Sequence, residues 1–286
     1  MLKLAILISG RGSNMIKLAE AIAADQLNAR IAIVISNQHC AGIIHAANLG
    51  IQTKIVERKN FTTSRDHDWA IHDAITSSSV DYVFLAGYMA ILSVDFTTAF
   101  AGRLINIHPS LLPDFKGLDT HQRAIDAKAK YHGATVHLVT AELDNGPIIL
   151  QAQLPILPED DADRLAARVL QLEHYLYTFV LKCLCEGHLT LFADNLVPHV
   201  LRMEGVLIYD TDLLARIDAG ELLTVGSEEE VEIRAVALHA VESMARIVEG
   251  QPGALLPYQI DHRLWAYGQN KAIKARPRHR ARSTFY

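Results

Sequence analysis

The sequence predicts an α/β protein with an open, mainly parallel sheet, followed by a mostly helical C-terminal extension. Three observations carry this reading. Near-continuous apolar runs at residues 2–9 and 80–86 have the pattern of strands buried on both faces. Strand and helix patterns alternate through the first third of the chain, which implies βαβ units with ligands at the carboxyl ends of the strands. From about residue 190 the segments become short and helix-rich.

In order, the strand over 2–9 ends at Gly10 and a helix follows over 15–24. A strand over 31–36, a short helix over 42–49 and a strand over 52–56 come next. A helix over 64–76 leads to strands over 80–86 and 104–107. Beyond Thr120 the pattern changes: β-rich stretches over 132–140 and 147–154 flank Asp144-Asn145-Gly146 and read as a hairpin. A long helix spans 162–185, where Leu165, Val169, Leu172, Leu176 and Phe179 recur at helical spacing as its buried stripe. Leu170 and Glu173 share a neighbouring face. A further helix over 227–248 opens with Glu228-Glu229-Glu230, whose charge suits a helix N-terminus, and Pro252-Gly253 breaks the chain after it. The last sixteen residues carry Lys271, Lys274, Arg276, Arg278, Arg280 and Arg282 with no acid, and are expected to be mobile.

Composition narrows the class. The chain has 286 residues, enough for one large domain with an appendage. Apolar residues at 50% and charged residues at 21% are ordinary for a globular protein. A net charge of −5 argues against wholesale nucleic-acid binding and leaves room for a local basic patch. Cys40, Cys183 and Cys185 lack zinc spacing, and with no signal peptide the chain reads as a reduced, cytoplasmic protein. No apolar run approaches the roughly 20 residues of a membrane span.

Two stretches carry chemistry. Gly10-Arg11-Gly12-Ser13-Asn14 lies between the first strand and the first helix. Its small residues let backbone N–H groups approach an anion at a helix N-terminus. It lacks the third glycine of a dinucleotide fingerprint and the Lys-Ser/Thr pair of a P-loop. Such a turn either just caps a helix or holds a single phosphate group, and the Ser-Asn pair favours the phosphate. The second stretch is Asn106-Ile107-His108-Pro109-Ser110-Leu111-Leu112-Pro113, answered by Asp144-Asn145-Gly146-Pro147. Its prolines stiffen the turn after a buried strand. An amide, an imidazole and a distant carboxylate can together stabilise an oxyanion and move a proton. Taken singly, each has a bland reading as a capping, structural or turn residue.

These motifs, in order, resemble the formyltransferase family. They continue through Leu85-Ala86-Gly87-Tyr88-Met89, Gly117-Leu118, Thr120-His121, Gly133-Ala134-Thr135-Val136-His137, Ile148-Ile149-Leu150-Gln151 and Glu173-His174. The resemblance implies a Rossmann-like sheet of the formyltransferase fold over residues 1–189. It divides into a phosphate-binding half (1–100) and a catalytic and folate-binding half (101–189). It also implies formyl transfer from 10-formyltetrahydrofolate, as co-substrate, to the primary amine of glycinamide ribonucleotide, with no metal. Asn106, His108 and Asp144 coincide with the family's catalytic triad. Gly12, Ser13 and Asn14, with Pro109, would hold the phosphate side and Glu173 the ribose hydroxyls. Arg65, Met89, Ala90, Ile91, Leu92, Thr140, Ala141 and Leu143 would form the folate side.

The chain departs from the family at three positions. Ala90 stands where arginine is usual, Leu170 where glutamine or lysine helps grip the phosphate, and Asp119 where histidine is common. Losing a charge-assisted contact costs about 1.5–3 kcal/mol, which weakens binding without removing the chemistry. A diverged member acting on another amine is therefore the alternative reading. Family members that hydrolyse the folate normally carry an N-terminal regulatory domain, whereas the first strand here starts at residue 2. Those that act on tRNA carry a C-terminal β-barrel, whereas the extension reads as helical.

The extension (190–270) and basic tail (271–286) do not belong to that core. Leu191-Phe192-Ala193-Asp194, Gly205-Val206-Leu207, Ala219-Gly220-Glu221-Leu222-Leu223, residues 226–235 and Leu264-Trp265-Ala266-Tyr267-Gly268 resemble the C-terminal part of the queuosine salvage glycosylases. That family's Tyr and Arg after Phe-Ala-Asp are Asn195 and Leu196 here. The extension is read as a packing or homodimerisation appendage. The alternative is a nucleotide- or tRNA-binding module whose Arg and Lys neutralise phosphates.

Overall fold

The protein was analysed as a computed structural model that describes residues 1–186, 195–224, 227–251 and 253–281. The chain divides into two compact units, Met1–His188 and Leu189–Tyr286.

The first unit is built on strands β1 (Leu2–Ile8), β2 (Ala29–Ser36), β3 (Thr53–Ile55), β4 (Tyr82–Leu85), β5 (Leu104–His108), β6 (Tyr131–Leu138) and β7 (Ile148–Pro155). They form one sheet in the order β3-β2-β1-β4-β5-β6-β7. The first five run parallel, β6 is antiparallel to β5, and β7 is antiparallel to β6. Helices α1 (Ser13–Ala24), α2 (Ala41–Asn48), α3 (Ser64–Ser77), α4 (Val94–Ala99), α5 (Thr120–Asp126) and α6 (Ala162–Glu186) connect and flank it. Leu4 to Ile8 of β1 are wholly inaccessible, as a strand covered on both faces requires. Strand order reverses at β1, which has β2 on one side and β4 on the other. That reversal opens a crevice at the carboxyl ends of β1 and β4.

Two sequence expectations shift. Helix α1 starts at Ser13, two residues earlier than its apolar pattern, because Gly12 at φ 74° turns the chain directly into it. In α6 the buried stripe leaves Phe179, which is 43% exposed, and Leu172 is half-buried. The buried face instead follows Leu176, Tyr177, Val180, Leu181 and Leu184. Tyr177 decides this: its ring stacks on Phe84 at 4.8 Å, and its hydroxyl lies 3.0 Å from the carbonyls of both Leu85 and Ile105. A buried phenol needs a partner, and the ends of β4 and β5 supply it. The short helices α4 and α5 had no apolar pattern to announce them.

The second unit contains α7 (Leu196–Met203), α8 (Thr211–Asp218), α9 (Glu228–Val248), α10 (Pro257–Gly268) and α11 (Lys271–Lys274), with β8 (Leu222–Leu223) paired in parallel to β9 (Arg280–Ala281). Val197, Leu201, Leu207, Ala237 and Val241 make its principal core. Ser227 caps α9 by accepting from the Glu230 N–H. The tail expected to be mobile is ordered over 271–281, because Ile273 and His279 are buried and β9 pairs with β8. Residues 282–286, with Arg282, lie outside the described residues, as does the Leu191-Phe192-Ala193-Asp194 motif. No helix among the described residues is long and apolar enough to cross a membrane.

Candidate active site

The loop after β1 is shaped by glycines that meet. Gly42, in the first turn of α2, donates its N–H to the Gly10 carbonyl at 3.0 Å. A Cβ on Gly42 would stand 2.8 Å from that same oxygen, and one on Gly12 would stand 3.0 Å from Gly42 Cα. Helix α2 is thus packed backbone to backbone against the loop, which presents the free N–H groups at the start of α1. Ser13 is half-buried, Arg11 exposed, and Asn14 only 6% exposed. Asn14 donates from Nδ2 to Glu173 Oε2 at 2.7 Å, so the predicted phosphate and ribose positions are brought together. Burial raises the Glu173 pKa and the Asn14 hydrogen bond opposes that shift. Leu170 lies one helical turn before Glu173 on α6 and is half-buried.

Ser9 joins this loop to its neighbours. Its hydroxyl donates to Asn37 Oδ1 at 2.8 Å and accepts from the Met89 N–H at 2.8 Å. The segment after β4 begins there and is anchored again where the Ser93 N–H donates to Asp68 Oδ2 at 2.7 Å. Between the anchors Met89 and Ile91 are 70% and 81% exposed, an apolar wall open to solvent. Ala90 and Leu92 are half-buried. Arg65 pairs with Asp95 of α4 at 3.1 Å. On the facing loop Leu143 and Ala141 are exposed, and the Thr140 hydroxyl donates to the Glu142 carbonyl.

Asn106 and His108 sit two residues apart on β5 and therefore share a face. Across the antiparallel ladder they pair with His137 and Thr135 of β6. Asp144, at φ 47° and 9% exposed, brings Oδ2 to 3.5 Å from His108 Nδ1 and Oδ1 to 3.7 Å from His137 Nε2. His108 Nε2 donates to the Phe115 carbonyl at 3.1 Å, which fixes the plane of the ring. The Pro109–Pro113 turn is stapled from β6 and β7. Thr135 Oγ1 donates to the Ser110 carbonyl and accepts from the Leu112 N–H, and Gln151 Nε2 donates to the Leu112 carbonyl at 2.9 Å. The Pro109 carbonyl accepts from Thr120 Oγ1 at 2.7 Å.

His137 is the functional residue that sequence reasoning passed over, although it lay within a quoted motif. Burial pushes its pKa down to about 4, so it is neutral near pH 7. Its Nδ1 donates to the Leu138 carbonyl at 2.9 Å, leaving Nε2 to accept from Asn106 Nδ2 at 3.1 Å. One amide hydrogen of Asn106 is held in this way and the other stays available to a ligand. Nothing along the sequence marks it, because its place opposite Asn106 is set by the register of β6 on β5.

A doubly wound sheet that gathers an amide, an imidazole and a carboxylate at the end of β5 has the groups a group-transfer site needs. The formyl transferase family model matches residues 2–181, and the chain belongs to that family. It is 46% identical over 197 residues to the phosphoribosylglycinamide formyltransferase of Haemophilus influenzae, covering 68% of this chain and 92% of that protein. The Escherichia coli enzyme of the same name is 39% identical over 194 residues, with 68% and 92% covered. Among solved structures, the phosphoribosylglycinamide formyltransferase of Coxiella burnetii superposes with a TM-score of 0.63 at 40% identity, covering 65% of this chain and 88% of that one. That of Brucella melitensis gives 0.62 at 46% identity, with 64% and 95% covered. A queuosine salvage protein model matches residues 187–286, the second unit.

Proposed function

We propose that the first unit transfers the formyl group of 10-formyltetrahydrofolate to the amine of glycinamide ribonucleotide, a step of purine biosynthesis. The observation that carries this is the meeting of Asn106, His108 and Asp144 at the end of β5, at the same edge of the sheet as the Gly10–Asn14 loop. The amine attacks the formyl carbon, a C–N bond forms and the formyl oxygen takes up negative charge. The free Asn106 amide hydrogen donates to that oxyanion, and the His108 imidazolium, whose Nε2–H the Phe115 carbonyl holds, stabilises it through its charge. Asp144, 3.5 Å from the ring, supports the imidazolium and relays through water the proton the amine must lose. Collapse breaks the bond to the folate nitrogen, which leaves with the proton relayed from the amine. Gly12, Ser13 and Asn14, next to Pro109, bind the phosphate side and Glu173 the ribose. Met89 to Leu92, with Thr140, Ala141 and Leu143, enclose the pterin, and Arg65 borders that wall. Turnover requires no metal.

Purified protein given both substrates should release tetrahydrofolate stoichiometrically with formylated amine. No turnover, or water as the only formyl acceptor, would sink the proposal. His108→Ala and Asp144→Asn should each lower kcat by about 10²–10⁴-fold with the melting temperature little changed.

One observation favours a further binding role for the second unit. Lys271, Lys274, Arg276 and Arg280 are exposed on the ordered stretch 271–281, which holds no acid. Such a surface suits a polyanion such as tRNA. Binding should then weaken steeply and linearly in log-log terms as salt rises, and salt-independent or absent binding counts against it.

A further inference from the structure

Two loops meet over the catalytic pair, and neither is in a relaxed conformation. In the loop after the Pro109–Pro113 turn, Phe115 and Gly117 have φ of 54° and 79°. In the loop between β6 and β7, Asp144 has φ 47°. A left-handed conformation is strained for Phe and uncommon for Asp, so outside contacts must hold them. Those contacts reach the catalytic groups directly. The Phe115 carbonyl accepts from His108 Nε2 at 3.1 Å, and the Gly117 N–H donates to Asp144 Oδ2 at 2.9 Å. Three consecutive residues, Phe115 to Gly117, therefore orient both the imidazole and the carboxylate.

The middle residue ties the two loops together. Lys116 Nζ donates to Asn145 Oδ1, and Asn145 Nδ2 donates to Glu142 Oε2 at 2.5 Å. Asp144 and Asn145, adjacent on one loop, thus grip Gly117 and Lys116, adjacent on the other. Arg123 of α5 holds the far side of the Phe115–Leu118 loop, donating to the Leu118 carbonyl at 3.2 Å with its guanidinium over the Phe115 ring at 5.8 Å. Lys116 and Asn145 are both half-buried, so their bond is partly shielded from water.

We propose that Lys116 and Asn145 are positioning residues, a clasp that sets the Asp144 carboxylate and the His108 ring through Gly117 and Phe115. The inference rests on the formyl-transfer reading for its kinetic consequence. Opening the clasp leaves the phosphate loop and the Met89–Leu92 wall untouched but frees Glu142 of the facing loop, so it acts on turnover and on the folate side and leaves binding of glycinamide ribonucleotide alone.

The full-length protein tests this with Lys116→Met, Asn145→Ala, the double variant and Lys116→Arg. Each single variant should lower kcat about tenfold with KM for glycinamide ribonucleotide within about twofold. The double variant should be no worse than Asn145→Ala alone, since that variant already removes the contact with Lys116 together with the one to Glu142. Lys116→Arg, which can still donate to Asn145, should restore most of kcat. Amide exchange at Gly117 should rise about tenfold in both single variants and return towards wild type in Lys116→Arg. Unchanged Gly117 exchange overturns the clasp, as do losses that appear in KM with kcat kept. The exchange measurement needs no turnover, so a wild-type protein that transfers no formyl group counts against the formyl-transfer reading alone.

Discussion

His137 has no charge to contribute near pH 7, and that is its use. A neutral ring with its Nδ1–H committed to the Leu138 carbonyl offers Asn106 an acceptor and fixes where the amide points. His137→Leu should lower kcat about tenfold with little change in KM, since it frees an oxyanion donor without touching either binding wall. Steady-state kinetics on the variant checks this, and unchanged kcat would refute the orienting role. Leu170 makes the opposite case. It sits one turn from Glu173, on the side where the Asn14–Glu173 bond closes the phosphate loop. Leu170→Lys should lower KM for glycinamide ribonucleotide about tenfold and leave kcat alone. Neither role could be assigned from composition. Asn106, His108 and Asp144 were legible as chemistry because their order and neighbours match the formyltransferase motifs, whereas His137 reads as one more β-strand residue until β6 is laid beside β5.

The elements deliver these groups through close contacts that spacing does not reveal. Helix α2 bears on the phosphate loop through Gly42, where any side chain would strike the Gly10 carbonyl. Gly42→Ala should therefore raise KM for the phosphate-bearing substrate several-fold and reduce stability by about 1–3 kcal/mol. Kinetics and urea denaturation read the two effects, and a silent substitution would show that the loop is not pinned there. Strand periodicity located β1, β2, β4 and β5 to within a few residues, because strands covered on both faces leave long apolar runs. The stripe of α6 was legible only to Leu176. Beyond it Tyr177 turned inward for two carbonyls and Phe179 was left outside.

Across the whole molecule, buried neutral histidines set the response to acid. Burial pushes His132 and His137 in the first unit, and His279 in the second, down to about 4 from an ordinary 6.5. Each takes up a proton near pH 6.5 when unfolded but only near pH 4 when folded. Stability is thus unaffected by these groups above pH 6.5 and falls as the pH drops from there towards 4. Denaturation midpoints measured from pH 7.5 to 4.5 should decline for both units, and a flat profile would contradict the burial argument. His137→Leu should flatten the first unit's decline.

The sequence by itself determined the α/β class, the order of the parallel strands' elements, the glycine-rich turn after β1, the residue types of the candidate site and the change of character near residue 190. These are local properties: apolar runs, glycine and proline placement, and motifs read along one strand or turn. Only the tertiary structure decided which groups touch. It placed His137 behind Asn106, set Phe115 and Gly117 against His108 and Asp144, and ordered residues 271–281 by burying Ile273 and His279. Those outcomes depend on register across β5 and β6 and on packing between distant segments, and a one-dimensional pattern carries neither.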